Sequence, residues 1–478
     1  MASNLTEVRK TLWLALPMVI GQVASQLMHV TDLAMVGRVG VVELAGAAFG
    51  NNVFNIVWLI GIGPVTAMSI LVGEAHGGGR EHRARTVLRH GLLVVGAFAL
   101  FLGGGLAWVV LGSDIWHLGQ PEEVIAAART YLLFLASSTL PLLLFIVFKA
   151  YSEARGWPWL PFWFNAGSIL LNIFLNWVFI YGNLGAPRLE LAGAGLATVL
   201  SRVVALVALA LFMRASARTQ VRWPLAEWGQ FDPRLGLDVV KLGIPIGLQI
   251  LFEVGAFNCA VFMIGWLPDG TVSIAAHSIA INLTALAFMV PLGVMFAASI
   301  RVGQARGAGN QAQARQIGWS TIGVAVGFMA CVALTFVLGR EWLPYLFLSE
   351  DVGDRAGDVV ALASSLLLLA AAFAIFDGAQ VTAIGVLRGF RDVRWPTLMT
   401  FVAYWVICLP LGFWLAFHFD GREQFPGVLA TVAKWLPEGP GLGPHGVWIG
   451  LCVGIIAICF AVLVRFHIIG NRAVKGDA

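Results

Sequence analysis

The sequence predicts an all-α polytopic membrane protein, with twelve transmembrane helices in two six-helix lobes related by a parallel repeat. Three observations carry this. Of 478 residues, 59% are hydrophobic and 12% charged, against about 25% charged in a soluble domain. The mean hydropathy of +0.84 is concentrated in blocks of about 20 residues, the length of a helix that crosses a bilayer. The two halves of the chain also repeat one another.

Taken in order, the apolar blocks place spans near 12–36, 44–72, 90–111, 128–150, 160–181 and 192–213. Six more follow near 242–266, 273–300, 317–339, 360–386, 395–417 and 447–468. The first begins after ten polar residues and runs apolar for about 25. That is too long for a signal-peptide core, and no small-residue cleavage site follows. It is expected to be an uncleaved first span.

Loop charge alternates along the chain. "HGGGREHRARTVLRH", "RASARTQVRW", "RVGQARGAGNQAQAR" and "LRGFRDVRW" are basic, whereas "LGSDIWHLGQPEE" and "LSEDVGDRAGD" are acidic. Roughly 21 of the 30 Lys and Arg lie on the first side and about six in loops on the second. The positive-inside rule then puts both termini and the 214–241 loop in the cytoplasm. A multi-pass protein of the bacterial inner membrane is the expectation, as a monomer.

The repeat is read by register. "GEAHGGGREHRAR" at 73–85 aligns with "GQARGAGNQAQAR" at 303–315, matching at Gly73/Gly303, Ala75/Ala305, Gly77/Gly307, Gly79/Gly309, Ala84/Ala314 and Arg85/Arg315. Upstream, Pro17 and Gly37 are spaced as Pro245 and Gly265 are. Six spans per repeat, an even number, give both halves one orientation, as in parallel-repeat transporters. The loop that joins them sets the expected lobes at 1–227 and 228–478.

Some function classes are set aside by what the sequence lacks. No basic tract is interleaved with aromatics, so no nucleic-acid partner is expected. Cys259, Cys331, Cys408, Cys452 and Cys459 all sit in apolar blocks without metal or disulfide spacing. No Gly-rich Lys motif for phosphate and no Ser–His nucleophile arrangement is present, so neither an enzyme nor a bound cofactor is expected.

Three acids lie inside spans: Asp32, Glu253 and Asp377. Each costs about 2.5–3.5 kcal/mol near mid-membrane if it faces lipid, so each is expected to face the protein or a water-filled cavity. Asp32, Asn172, Asn176 and Thr198 fall at similar depth in the first half, and Asn172 and Asn176 share a helix face at i,i+4. A carboxylate with amide and hydroxyl oxygens suits a proton or a hard cation such as Na⁺. Ordinary interhelical hydrogen bonding is the competing reading. Arg202, one turn below Thr198, either pairs with Asp32 or hydrogen-bonds backbone or snorkels, and His29 reads as a packed neutral histidine.

Glu253 and Asp377 lie near mid-membrane in the second half. Burial favours the neutral form of a carboxyl, so such a group can hold a proton, a metal cation or a cationic substrate in turn. Mutual exclusion of that kind gives exchange. Phe252, Phe257, Met263, Phe288, Met289 and Phe373 either line an apolar cavity for organic cations or pack as ordinary core. On the residues alone, the reading is an ion-coupled transporter.

Taken together, "LALPMVIGQ", "VTDLAMVGRVGVVELAGAAFGNN", "LLNIFLNWVFIYG", "LGIPIGLQILFEVGAF" and "VLRGFRDVRWP" resemble the multidrug and toxic compound extrusion (MATE) family, in its NorM-like branch. The resemblance implies a V-shaped pair of six-helix lobes that exports organic cations and amphipathic drugs against inward Na⁺ or H⁺. It implies that Asp32, Glu253 and Asp377 are the family's coupling acids and that Asn172, Asn176 and Thr198 are its first-lobe polar cluster. A Na⁺ site would lie at Asp32 with Asn172 and Asn176, or at Glu253 with Asp377. One departure stands out: Phe373 occupies a position where relatives often carry tyrosine, so an oxygen ligand near Asp377 is missing. The alternative is a flippase for a lipid or lipid-linked oligosaccharide, which would call for cations along its cavity.

Overall fold

Each apolar block becomes one long helix, because in hydrocarbon the backbone has no water to bond and must satisfy itself within the segment. A computed structural model gives the fold and describes residues 2–112, 121–216, 232–347, 355–417 and 439–476. Twelve helices long and apolar enough to cross a membrane lie among the described residues, as the sequence predicts. They are α1 (Ala2–Gly37), α2 (Val41–Gly77), α3 (Glu81–Gly112), α4 (Glu122–Ala154), α5 (Trp159–Tyr181) and α6 (Glu190–Ala215). The second six are α7 (Pro233–Gly265), α8 (Gly270–Gly307), α9 (Gln311–Gly339), α10 (Ala356–Gly389), α11 (Arg394–Ala416) and α12 (Pro444–Lys475). Most overrun the apolar blocks by several residues, since a helix continues into polar ground until a glycine or proline ends it. Much of the 214–241 loop and of the acidic loops lies outside the described residues.

The chain divides into two compact units. The first holds Leu12–Leu248 with Ile300–Asn310, and the second holds Met1–Thr11, Gln249–Ser299 and Gln311–Ala478.

In the first unit the aligned glycines of the repeat close two turns with one geometry. After α2, Gly78 N–H donates to Glu74 O at 3.1 Å, Gly79 to His76 O at 3.0 Å and Arg80 to Ala75 O at 2.9 Å. After α8 the same three bonds run from Ala308 to Gln304 O, Gly309 to Arg306 O and Asn310 to Ala305 O, at 3.0, 3.0 and 2.9 Å. Gly79 (φ 68°) and Gly309 (φ 77°) take the left-handed conformation that ends a helix. The helices that lead into these turns touch backbone to backbone. A Cβ on Gly77 would strike the Gln304 carbonyl, and one on Gly307 the Glu74 carbonyl. Close approach through glycine is the usual way helices associate when lipid supplies no hydrophobic drive.

Beside the α2–α3 turn, Glu81 meets His76 Nδ1 at 2.6 Å and Arg155 Nη2 at 2.9 Å, and the Arg155 guanidinium lies 4.7 Å from the Trp157 ring centroid. These contacts tie the ends of α2, α3 and α4.

In the second unit α11 is not uniform. Val402–Cys408 forms a π-helical turn in which Leu409 N–H reaches back five residues to Tyr404 O. Pro410 follows, and its ring and missing N–H disfavour a regular turn there. Gly450 and Gly454 of α12 lie against Cys408, Gly446 lies against Leu415 and Ala416 farther along α11, and a Cβ on Gly454 would stand 2.6 Å from Cys408 Cβ. The wide turn fixes where Tyr404 points.

Gly77→Ala and Gly307→Ala are expected to destabilise by about 1–3 kcal/mol each, the usual cost of overpacking. Gly104→Ala and Gly105→Ala, which meet open space, are expected to leave stability unchanged or raised. Thermal unfolding of the purified variants in detergent compares the two pairs, and equal effects would remove the role given to the glycine contact.

Candidate functional site

The first unit gathers the polar residues grouped by depth in the sequence. Asn172 and Asn176, one turn apart on α5, are both fully buried. Asn176 Nδ2 donates to Asp32 Oδ1 at 2.6 Å and to Asn172 Oδ1 at 3.1 Å. Asn172 Nδ2 reaches Thr198 Oγ1 at 3.4 Å, and Thr198 Oγ1 donates to Ala194 O at 2.9 Å. Donation therefore starts at Asn176 on α5 and branches, one way to the α1 carboxylate and the other through Asn172 and Thr198 to a backbone carbonyl of α6. Asn176 Oδ1 is buried and takes no hydrogen bond, the one spare amide oxygen in the cluster. Asp32 faces amide N–H groups rather than a cage of oxygens. That suits a carboxylate that gains and loses a proton, whereas a hard cation would require the amides to turn.

Arg202 does not pair with Asp32 in this arrangement. Its Nη1 donates to Ser138 Oγ at 2.5 Å, and its guanidinium lies 5.3 Å from the Phe54 ring centroid. Its charge still acts through space on Asp32 and His29. Tyr131, whose hydroxyl donates to Asn51 Oδ1 at 3.1 Å, feels the charges of both Asp32 and Arg202. Sequence reading missed Asn51, Tyr131 and Ser138. The rarity of tyrosine, five in the chain, was the available signal.

The second unit assembles a different set. Asp377 on α10 is 3% exposed and is coupled electrostatically to Glu253 on α7. Tyr404, brought in by the π-helical turn and fully buried, donates a long hydrogen bond to Glu253 Oε1 at 3.5 Å. Two carboxyls and a phenol present oxygen alone, so this set suits either a proton or Na⁺. Tyr404 thus brings a phenol oxygen to Glu253 from another helix, and its place in the π-helical turn is not legible in the sequence.

Arg388 belongs here as well. Sequence reading counted it with the loop "LRGFRDVRW", but α10 continues to Gly389 and the side chain is 3% exposed.

Three of the six cavity candidates make ring contacts in the second unit. Phe257 and Phe373 stack edge to face at 6.0 Å, Phe257 meets Tyr404 at 5.9 Å, and Phe373 meets Trp448 at 6.3 Å. Phe252 packs on Phe401 at 5.1 Å. Met263 is buried, while Phe288 and Met289 are half-buried on α8.

The MatE family model matches twice, over residues 17–178 and 245–414. The two matches begin at Pro17 and Pro245, the register of the repeat. The chain is 36% identical over 97% of its length to a probable multidrug resistance protein NorM of Rhodopseudomonas palustris, 92% of which is covered. It is 34% identical over 96% of its length to the NorM of Mesorhizobium japonicum, 93% of which is covered. Among solved structures it resembles the eukaryotic MATE transporter AtDTX14, with TM-score 0.81 at 20% identity over 99% of this chain and 100% of that one. A MATE protein in the bent conformation gives TM-score 0.83 at 20% identity, covering 99% of each chain.

Asn176→Leu is expected to cost about 1.5–3 kcal/mol, because it strips a charge-assisted bond from a partly buried carboxylate. Tyr404→Phe, which removes only the long bond to Glu253, is expected to cost less than about 1 kcal/mol. Thermal unfolding of both variants checks the order, and the reverse order would demote the Asp32 cluster.

Proposed function

The chain belongs to the MatE family, and on that premise we propose that it is a multidrug efflux antiporter, exporting organic cations and amphipathic drugs in exchange for H⁺ or Na⁺. The observation that carries the exchange is the placing of ionisable acids inside both units, Asp32 and Glu253 half-buried and Asp377 buried, each with a polar atom or a neighbouring charge left over. Asp32 keeps a spare amide oxygen beside it, and Glu253 and Asp377 are coupled to each other. A buried carboxyl bears a net charge poorly in a low-dielectric medium. It therefore changes occupant by exchange: a proton or cation leaves as another positive charge arrives.

In this reading Asp32, with Asn172, Asn176 and Thr198, is a proton site. Glu253 and Asp377, with the Tyr404 hydroxyl, bind either H⁺ or Na⁺. Alternating access exposes the sites to each side of the membrane in turn, and an ion entering down its gradient resets the carrier after a drug has left. The distribution of Lys and Arg between loops supports cytoplasmic termini in a bacterial inner membrane.

Efflux of ethidium from proteoliposomes, under a pH gradient or a Na⁺ gradient applied separately, tests the proposal. One gradient alone is expected to drive export. Asp32→Asn is expected to lower the proton-driven rate at least tenfold, and Glu253→Gln and Asp377→Asn the rate under whichever gradient works. If neither gradient moves the dye through the unmodified protein, cation-coupled export is the wrong reading and a lipid substrate takes its place.

A further inference from the structure

We infer that Arg388 is a resident counter-cation for the Glu253–Asp377 pair, held off the acids by Gln249, so that a single monovalent ion neutralises the pair. This rests on the reading that those acids bind the coupling ion.

A guanidinium has five N–H donors, and Arg388 uses two. Nη2 donates to Gln249 Oε1 at 3.1 Å and Nη1 to Met295 Sδ at 3.5 Å, while Nε is buried without a partner. Neither acceptor is charged. Gln249, 1% exposed, is fixed in turn by donating from Nε2 to Thr400 Oγ1 at 3.3 Å, and that hydroxyl donates to Pro396 O at 2.8 Å. Glu253 stands one turn beyond Gln249 on α7, and the charges of Arg388 and Glu253 act on each other. The cation is therefore anchored to a neutral amide one helical turn from the acid instead of bonded to it.

The groups that face the acids are few. Tyr404 on α11 meets Glu253, Asp377 and Arg388 both lie on α10, and Cys459 on α12 feels Asp377. Tyrosine and cysteine ordinarily titrate well above neutral pH, so Arg388 is the one fixed charge of the set. With both acids ionised, the trio carries one net negative charge. One proton or one Na⁺ brings it to zero. Without Arg388 the same pair would need two.

A buried arginine bonded directly to a carboxylate would compete with any arriving ion. One held by glutamine does not have to be displaced. It keeps the emptied site from becoming a doubly charged void, which a low-dielectric interior would resist strongly.

The test reads protonation at Glu253 itself. Dicyclohexylcarbodiimide modifies a buried carboxyl in its protonated form, and mass spectrometry of the purified full-length protein locates the adduct. At fixed pH near 8, without sodium, Arg388→Gln is expected to raise the labelling rate at Glu253 about tenfold or more, the size of effect an opposite charge exerts nearby. Arg388→Lys, which keeps the charge but not the fork, is expected to stay within about twofold of the unmodified protein. Labelling of Asp32 is the control and should not change. If Arg388→Gln does not survive purification, Arg388→Met makes the same comparison.

An unchanged rate in the neutral variant overturns the inference. So does an equal rise in Arg388→Lys, which would mean lost packing, or a parallel rise at Asp32, which would mean general loosening. If Glu253→Gln instead leaves gradient-driven efflux intact, the coupling role of the acids fails, and the labelling result stands apart from it.

Discussion

A polar group carried into hydrocarbon must find its partner inside the protein, and the rest of this structure depends on that requirement. It forces the backbone into unbroken helices. It also draws side chains that ordinarily seek water into a few shared interiors: Asn172, Asn176 and Thr198 around Asp32 in one unit, and Gln249, Thr400 and Tyr404 around Glu253 in the other. The glycine contacts answer the same requirement from the other side. With no hydrophobic drive between helices, only close approach makes them cohere, and Gly77 and Gly307 permit approach to the carbonyl backbone.

The two units treat charge in a related way with different parts. Each contains an arginine within electrostatic reach of its acid, half-buried at Arg202 and buried at Arg388, and each holds that arginine by neutral groups. Arg202 rests on Ser138 and the Phe54 ring, and Arg388 on Gln249 and Met295. A direct salt bridge would fix the acid in one charge state. Holding the cation one step away balances the carboxylate and leaves its oxygens open to exchange. The partners differ: Asp32 is met by amide donors, Glu253 by a single phenol at long range. The two sites are therefore suited to different exchanges, although the chain repeats.

Much of this was legible in the sequence where the physics is local. Apolar length gives the spans, and the shared Gly-rich segments give the repeat, down to left-handed glycines at 79 and 309. Helical depth alone grouped Asp32 with Asn176 and Thr198. What escaped depends on contacts between distant residues or on departures from regular geometry. Ser138 meets Arg202 across 64 residues. Arg388 reads as a loop cation until α10 is seen to run to Gly389. Tyr404 reads as one more aromatic in an apolar span until the helix widens. For the cavity aromatics, a list of large apolar residues does not say which of them touch, and the ring pair of Phe257 and Phe373 comes from the structure alone.

The π-helical turn at Val402–Cys408 makes α11 one residue longer than its ladder of bonds requires. Such a turn is an insertion that the helix has absorbed. Deleting one residue would restore the regular ladder and rotate the segment before it by about 100° relative to the segment after it, the angle of one residue on an α-helix. Tyr404 would leave Glu253 or Thr400 would leave Gln249, with no change in the character of any side chain that remains. A change of sequence can thus retune this site in two independent ways. One is the slow replacement of ligands. The other is a single-codon gain or loss that moves a whole helix face in or out of reach at once, and a search for exchanged residues at matched positions would overlook it.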